Sequence, residues 1–125
     1  RPNTWISVAH SQGIVAVAIS NRKVGIDIES SERDFERAKS RFMSQEEMTL
    51  SSHKHWAAYV WCAKEALYKL YGKRGVELRD ELRIESHDEV TRQMKASLAG
   101  DKRRAIVEIQ LHEGDMIVAV ATFDE

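Results

Sequence analysis

Apolar and polar residues alternate at the start of this chain, spiral in its middle and alternate again at its end. Residues 5–9 and 14–20 are apolar runs joined by the polar stretch 10–13, and residues 21–23 make a tight connection into a third strand-like run, Val24-Gly25-Ile26-Asp27-Ile28-Glu29. These three predict a meander with His10 in its first turn. Along a strand, successive side chains point to opposite faces. Val24, Ile26 and Ile28 therefore share the face expected to pack on a core, and Asp27 and Glu29 share the other.

From residue 32 to 43, charges alternate with Phe35, Ala38 and Phe42 in a pattern suited to a helix, and Ser44-Gln45-Glu46-Glu47 is a capping-box signature for a short one. Residues 55–71 lack Gly and Pro and set Tyr59, Cys62, Ala63, Ala66, Leu67 and Leu70 at helical spacing before Gly72 offers a stop, which predicts the long helix. Residues 82–98 favour strand pieces at 82–84 and 94–98 over a second long helix. Residues 107–111 alternate, Glu113-Gly114-Asp115 reads as a turn, and 116–123 as the returning strand of a hairpin. No repeat, low-complexity stretch or linker interrupts the chain.

Composition narrows the picture modestly. At 125 residues, 42% hydrophobic and 31% charged, the chain suits one core and one domain, residues 1–125. A net charge of -1 gives no electrostatic case for nucleic acid or a membrane surface. The single cysteine, Cys62, falls within the helix's apolar spacing and reads as a buried thiol. No apolar run approaches the ~20 residues of a membrane span and no signal-peptide pattern opens the chain, so the expected location is the cytoplasm.

The chemistry lies in the acidic strand and the long helix. Asp27 and Glu29 repel each other and lose hydration on burial, a liability that a cation, a proton or a hydrogen-bond network must offset. Mg²⁺ is the natural compensator, since it takes oxygen ligands and often binds a few carboxylates together with substrate phosphates. Glu65 and Lys69 lie one helical turn apart; alone they read as a solvated ion pair worth about 0.3–0.5 kcal/mol. The bland readings of other features are a solvated His53-Lys54-His55, a solvated tip at Lys102-Arg103-Arg104, and Trp56 and Trp61 as core.

The order Val8-Ala9-His10-Ser11, an apolar strand, Gly25-Ile26-Asp27-Ile28-Glu29, Phe42 with Glu46 and Glu47, then Trp61-Cys62-Ala63-Lys64-Glu65-Ala66-Leu67-Tyr68-Lys69 resembles the 4′-phosphopantetheinyl transferases. The resemblance covers residues 6–71; beyond Gly72 no diagnostic residue stands out. The histidine segment before the acidic strand is similar to the C-terminal half of the surfactin-type, two-half branch. It differs from the small acyl-carrier-protein synthase branch, where that segment comes late.

The resemblance implies an α+β half-domain, an antiparallel sheet packed against a long helix. It also implies transfer of 4′-phosphopantetheine from coenzyme A to a serine of an acyl or peptidyl carrier protein, as in fatty acid, polyketide or peptide biosynthesis. By position, Asp27, Glu29 and Glu65 match the family's Mg²⁺ ligands, and Glu65 also matches the general base, acting directly or through a water. Lys69 matches the lysine on the attacked phosphate, and His10, with Ser11 beside it, the contact to the coenzyme's 3′-phosphate. Lys64 is a candidate coenzyme contact with solvent as the alternative. Ala9 stands where the family commonly has serine, and the basic residues of an N-terminal half are missing. An opening after Pro2 and Asn3 that reads as mid-chain suggests truncation, with association of two copies as the alternative. Arg33, Arg37, Lys39 and Arg41 are candidates to meet an acidic carrier, against the plainer reading of a solvated face. Two other functions fit part of the pattern: a non-catalytic coenzyme-binding or assembly half, and a Mg²⁺-dependent phosphohydrolase.

Overall fold

The computed structural model describes residues 3–124. Pro2, part of the reasoning for a mid-chain start, lies outside the described residues, as do Arg1 and Glu125. The chain runs β1 (Trp5–Ser11), β2 (Ile14–Ser20), β3 (Val24–Ser30), a 3₁₀ helix (Glu36–Arg41), α1 (Gln45–Met48), α2 (Trp56–Tyr71), β4 (Leu82–Asp88), β5 (Gln93–Leu98), β6 (Arg104–His112) and β7 (Met116–Asp124). The class is α+β, with an antiparallel five-stranded sheet in the order β3-β7-β6-β5-β4 packed against α2.

Two expectations for the first strands are corrected. β1 and β2 form a separate two-stranded sheet, and β3 pairs with β7, from Val24 opposite Thr122 to Ser30 opposite Met116, so the meander stops after two strands. The physical reason is burial. β7 is nearly continuous apolar sequence and can cover β3, whereas alternate residues of the hairpin face solvent. His10 lies within β1 opposite Val15, and the turn belongs to Gln12 and Gly13. Both have positive φ, 51° and 79°, as a two-residue hairpin loop matching strand twist requires.

The faces of β3 are also divided differently from a simple core-and-solvent pattern. Ile26 and Ile28 join Ala9, Met116 and Val118 in a small apolar cluster under the hairpin. The carboxylate face points the other way, toward α2 and the main core, because Asp27 sits opposite the buried Ala119. This close seating of strand on helix depends on Gly25. A Cβ there would fall 2.1 Å from the Ala66 carbonyl oxygen and 2.7 Å from the Leu70 nitrogen.

α2 is buried on nearly all sides, well beyond the six positions expected, as a helix central to a domain should be. It stops at Gly72, whose φ of 74° and hydrogen bond to the Tyr68 carbonyl form a left-handed cap. The capping box of α1 is present, with Ser44 Oγ accepting from the Glu47 amide and Glu47 accepting from the Ser44 amide. The helix expected over 32–43 is a 3₁₀ segment of six residues. Its flanking Phe35 and Phe42 turn inward onto Trp61, and a short segment anchored at both ends favours the tighter winding. The tail strands at 82–84, 94–98, 107–111 and 116–123 all form, within longer strands. Among the described residues no helix is long and apolar enough to cross a membrane.

Candidate functional site

The site is built where the free edge of β3 meets α2 and the hairpin. Ile26 turns its backbone groups toward that free edge, and side chains satisfy both. Its N–H donates to Ser7 Oγ of β1 at 3.0 Å, and its carbonyl accepts from Lys69 Nζ of α2 at 2.8 Å. Lys69 donates also to the Val8 carbonyl at 3.0 Å and stands 4.0 Å from Asp27 Oδ1. The plain Glu65–Lys69 ion pair weighed above is not formed; the lysine ties β1, β3 and Asp27 together.

Glu29 is clamped. Trp61 Nε1 donates to its Oε2 at 3.0 Å, and Arg33 Nη1 to its Oε1 at 3.1 Å. Asp27 is the unsatisfied member: its Oδ2 is buried with no hydrogen-bond partner. Burial raises its pKa most, the Glu29 charge adds to that, and Lys69 opposes it, so that the carboxyl is pushed from 3.8 to about 7. Glu65 is raised too, by burial first and then by Glu29, against Lys69 and Arg33. No hydrogen bond or ion pair holds the Glu65 carboxylate among the described residues, so the helix alone sets its place.

Cys62 is buried, with its thiol directed to the Asp27 and Ile117 carbonyls at 3.5 and 3.6 Å. Burial, then the Asp27 charge, pushes its pKa well up, which suits an inert thiol.

Lys64 is corrected. It is fully buried, and its ammonium donates to Glu47 Oε1 at 2.8 Å, the Leu78 carbonyl at 2.7 Å and the Arg79 carbonyl at 3.0 Å. One residue is about 100° around a helix. Lys64 therefore points toward α1 while Glu65 faces the acidic strand, and no N–H remains for phosphate or solvent.

His10 is exposed and Ser11 half-buried, at the far end of β1. Trp56 is core, its indole donating to the Glu47 carbonyl at 2.8 Å. His53 is exposed and stacks on Tyr59, and Arg103 lies over Phe123. Sequence reasoning missed Trp61, Arg33 and Ser7 as parts of the site. Trp61 precedes Glu65 by four residues and so shares its helix face, a signal that was available. Ser7 gave none, because its role depends on an edge created by distant pairing.

The donor set suits a hard cation. Among the described residues no three His, Cys, Asp or Glu side chains form a ready-made metal cage. What they offer is a buried carboxylate oxygen without a partner, beside two carboxylates whose charges raise its pKa. Such an open oxygen set fits Mg²⁺, which usually keeps waters and substrate oxygens as its remaining ligands.

No curated protein matches this sequence. A family model described as the 4′-phosphopantetheinyl transferase superfamily matches residues 23–121. The matched span takes in β3, α2 and the tail strands, so the likeness runs well past Gly72, while the hairpin with His10 and Ser11 precedes it. With most of its length covered by that model, acidic strand and long helix included, the chain belongs to the 4′-phosphopantetheinyl transferase superfamily.

Proposed function

We propose that this chain, as a surfactin-type half, transfers the 4′-phosphopantetheine arm of coenzyme A to a serine of an acyl or peptidyl carrier protein with Mg²⁺. The observation that carries the reading is Asp27, a buried carboxylate with an oxygen left unbonded between two other acids and a lysine. Asp27, Glu29 and Glu65 would hold the Mg²⁺, which when bound supplies neutralising charge at the coenzyme's pyrophosphate.

The remaining steps belong to the chain's own side chains. The carrier serine's oxygen forms a bond to the phosphorus attached to the pantetheine arm, and the bond from that phosphorus to the oxygen of adenosine 3′,5′-bisphosphate breaks. Serine is a poor nucleophile while neutral. Glu65, on the α2 face turned to the acidic strand, takes the proton directly or through a water it orients. Lys69 places a positive charge on the attacked phosphate, held at a fixed point by the Val8 and Ile26 carbonyls. His10 and Ser11 contact the 3′-phosphate. Arg37 and Arg41 are exposed and free to meet an acidic carrier, while Arg33 is engaged by Glu29 and Lys39 by Glu36.

A second reading is favoured by one observation. The outer face of the hairpin is an exposed apolar ladder in which Ile6, Val8, Val17 and Ile19 are 64, 51, 53 and 70% exposed. Such a face suits a covering half or second copy, and in that reading this chain binds coenzyme but turns over only when covered.

Mass spectrometry of an apo carrier protein after incubation with the chain, coenzyme A and Mg²⁺, with and without chelator, tests both. A chelator-sensitive gain equal to the phosphopantetheine arm is the expected result. Coenzyme binding without any gain, on a carrier that another transferase converts, selects the second reading. Hydrolysis of simple phosphate esters with no carrier modification would replace both with a phosphohydrolase.

A further inference from the structure

Glu65 has no side-chain partner, so its position is only as well defined as the seating of α2. Two features fix that seating from opposite sides. On one side Gly25 lets β3 press against the Ala66–Leu70 turn. On the other, the buried Lys64 and Glu47 side chains form an ion pair at 2.8 Å, with side chains 0% and 2% exposed.

The pair is saturated. Lys64 uses its three N–H groups on Glu47, Leu78 and Arg79, and Glu47 accepts also from the Ser44 amide at 2.8 Å and the Ile84 amide at 2.7 Å. It thus joins the start of α1, the middle of α2, the loop after α2 and β4 near its start at one point. Apolar contacts permit a helix to slide or roll slightly at little cost, whereas these directional bonds to four backbone groups do not. Burial lowers the Lys64 pKa, and the Glu47 carboxylate opposes that shift.

We propose that Lys64 and Glu47 act as positioning residues for the transfer site: their buried pair sets the roll of α2 about its axis and so aims Glu65 and Lys69 at the face of β3. The inference rests on the transferase reading for its kinetic consequence, but the geometry it asserts has an independent readout. Replacing a whole buried ion pair with apolar side chains of similar volume is often neutral for stability, while removing one partner is strongly destabilising. The double replacement avoids an unpaired buried charge, and its comparison with the parent at a temperature where both are folded separates aiming from mere folding.

The test compares the parent chain with Lys64→Met/Glu47→Met and with Glu47→Gln, all verified as folded by circular dichroism at the assay temperature. Turnover and KM for coenzyme A are measured on an apo carrier, and Mn²⁺ affinity by electron paramagnetic resonance. The expected result for the double variant is a lower melting temperature, because the Ser44 and Ile84 amides and the Leu78 and Arg79 carbonyls lose these partners, and, at a temperature where it is folded, kcat at least tenfold lower with KM little changed and Mn²⁺ binding weakened several-fold. Glu47→Gln keeps the shape of the side chain but removes one charge of the pair, so it melts below the parent; read at a temperature where it is folded, it shows the same kinetic and Mn²⁺ pattern more weakly and decides the matter should the double variant not fold. Parental kcat and Mn²⁺ affinity in a folded variant would overturn the proposal. Should the parent itself transfer nothing, the transferase reading fails separately and the Mn²⁺ comparison still decides the positioning role.

Discussion

Asp27→Asn should stabilise the metal-free protein, and the size of the gain should depend on pH. The folded-state pKa of about 7 lies above the ordinary value of 3.8, with burial as the largest cause and Glu29 next. A carboxyl raised in this way binds its proton more tightly in the folded state. Stability is therefore full below about pH 4, falls as pH rises between the two values, and stays reduced above about 7. A shift of about three units corresponds to about 4 kcal/mol at most. The asparagine amide, partly unbonded in the same place, gives back about 1–3 kcal/mol of that. A net gain of about 1–3 kcal/mol at pH 8 remains, and with about 2.1 cal/mol/K of unfolding entropy per residue this raises the melting temperature by roughly 4–12 °C. Thermal unfolding of both proteins in chelator, from pH 4 to 8, measures it. A difference that is flat across pH, or a variant less stable at pH 8 than at pH 4 relative to the parent, would refute the electrostatic account of the site. Adding Mg²⁺ should raise the parent's melting temperature and leave the variant's nearly unchanged, since only a ligand that binds the folded state stabilises it.

Gly25→Ala puts a methyl more than 1 Å inside ordinary contact with the backbone of α2. It should cost about 3 kcal/mol, at the upper end of overpacking effects, with transfer reduced; an unchanged urea midpoint would contradict the close seating of β3 on the helix. Lys69→Met removes the charge proposed to meet the attacked phosphate and should lower kcat at least tenfold with a smaller effect on Mg²⁺ affinity; loss of metal binding alone would mean its role is misassigned. Ser7→Ala leaves the Ile26 N–H without an acceptor and should cost about 1–3 kcal/mol by chemical denaturation. A neutral result there would mean that β1 does not support the edge of β3.

The long helix was legible because its evidence is local: no Gly or Pro, apolar residues at a 3.6 period, and a glycine at its end. The shared face of Asp27 and Glu29 was legible for the same reason, at period two. The partner of β3 was not, because pairing with β7 is decided by which distant strand can bury it, and nothing near residue 24 records that. Lys64 shows the limit most clearly. A lysine beside a candidate catalytic glutamate reads as a surface or phosphate contact until Glu47, 17 residues earlier, is brought under it by tertiary packing. The Trp61 and Arg33 clamp on Glu29 fell between these cases, since the helix spacing was visible and the strand it would meet was not.

The hairpin carrying His10 is a sheet of its own, fastened to the rest through the small cluster under it, the Ser7 hydroxyl and the Lys69 ammonium. A unit attached this way opens at lower free energy than the five-stranded sheet behind it. With His10 as a coenzyme contact, one contact to the nucleotide would sit on a jaw whose closure is itself an equilibrium. Apparent affinity then scales with the fraction of molecules in which the jaw is shut: docking only about one-tenth of the time would weaken the coenzyme about tenfold, with every contacting atom unchanged. His10 shares its strand face with Ile6 and Val8, so a surface that settles on that apolar face would both hold the jaw shut and stand beside the coenzyme contact.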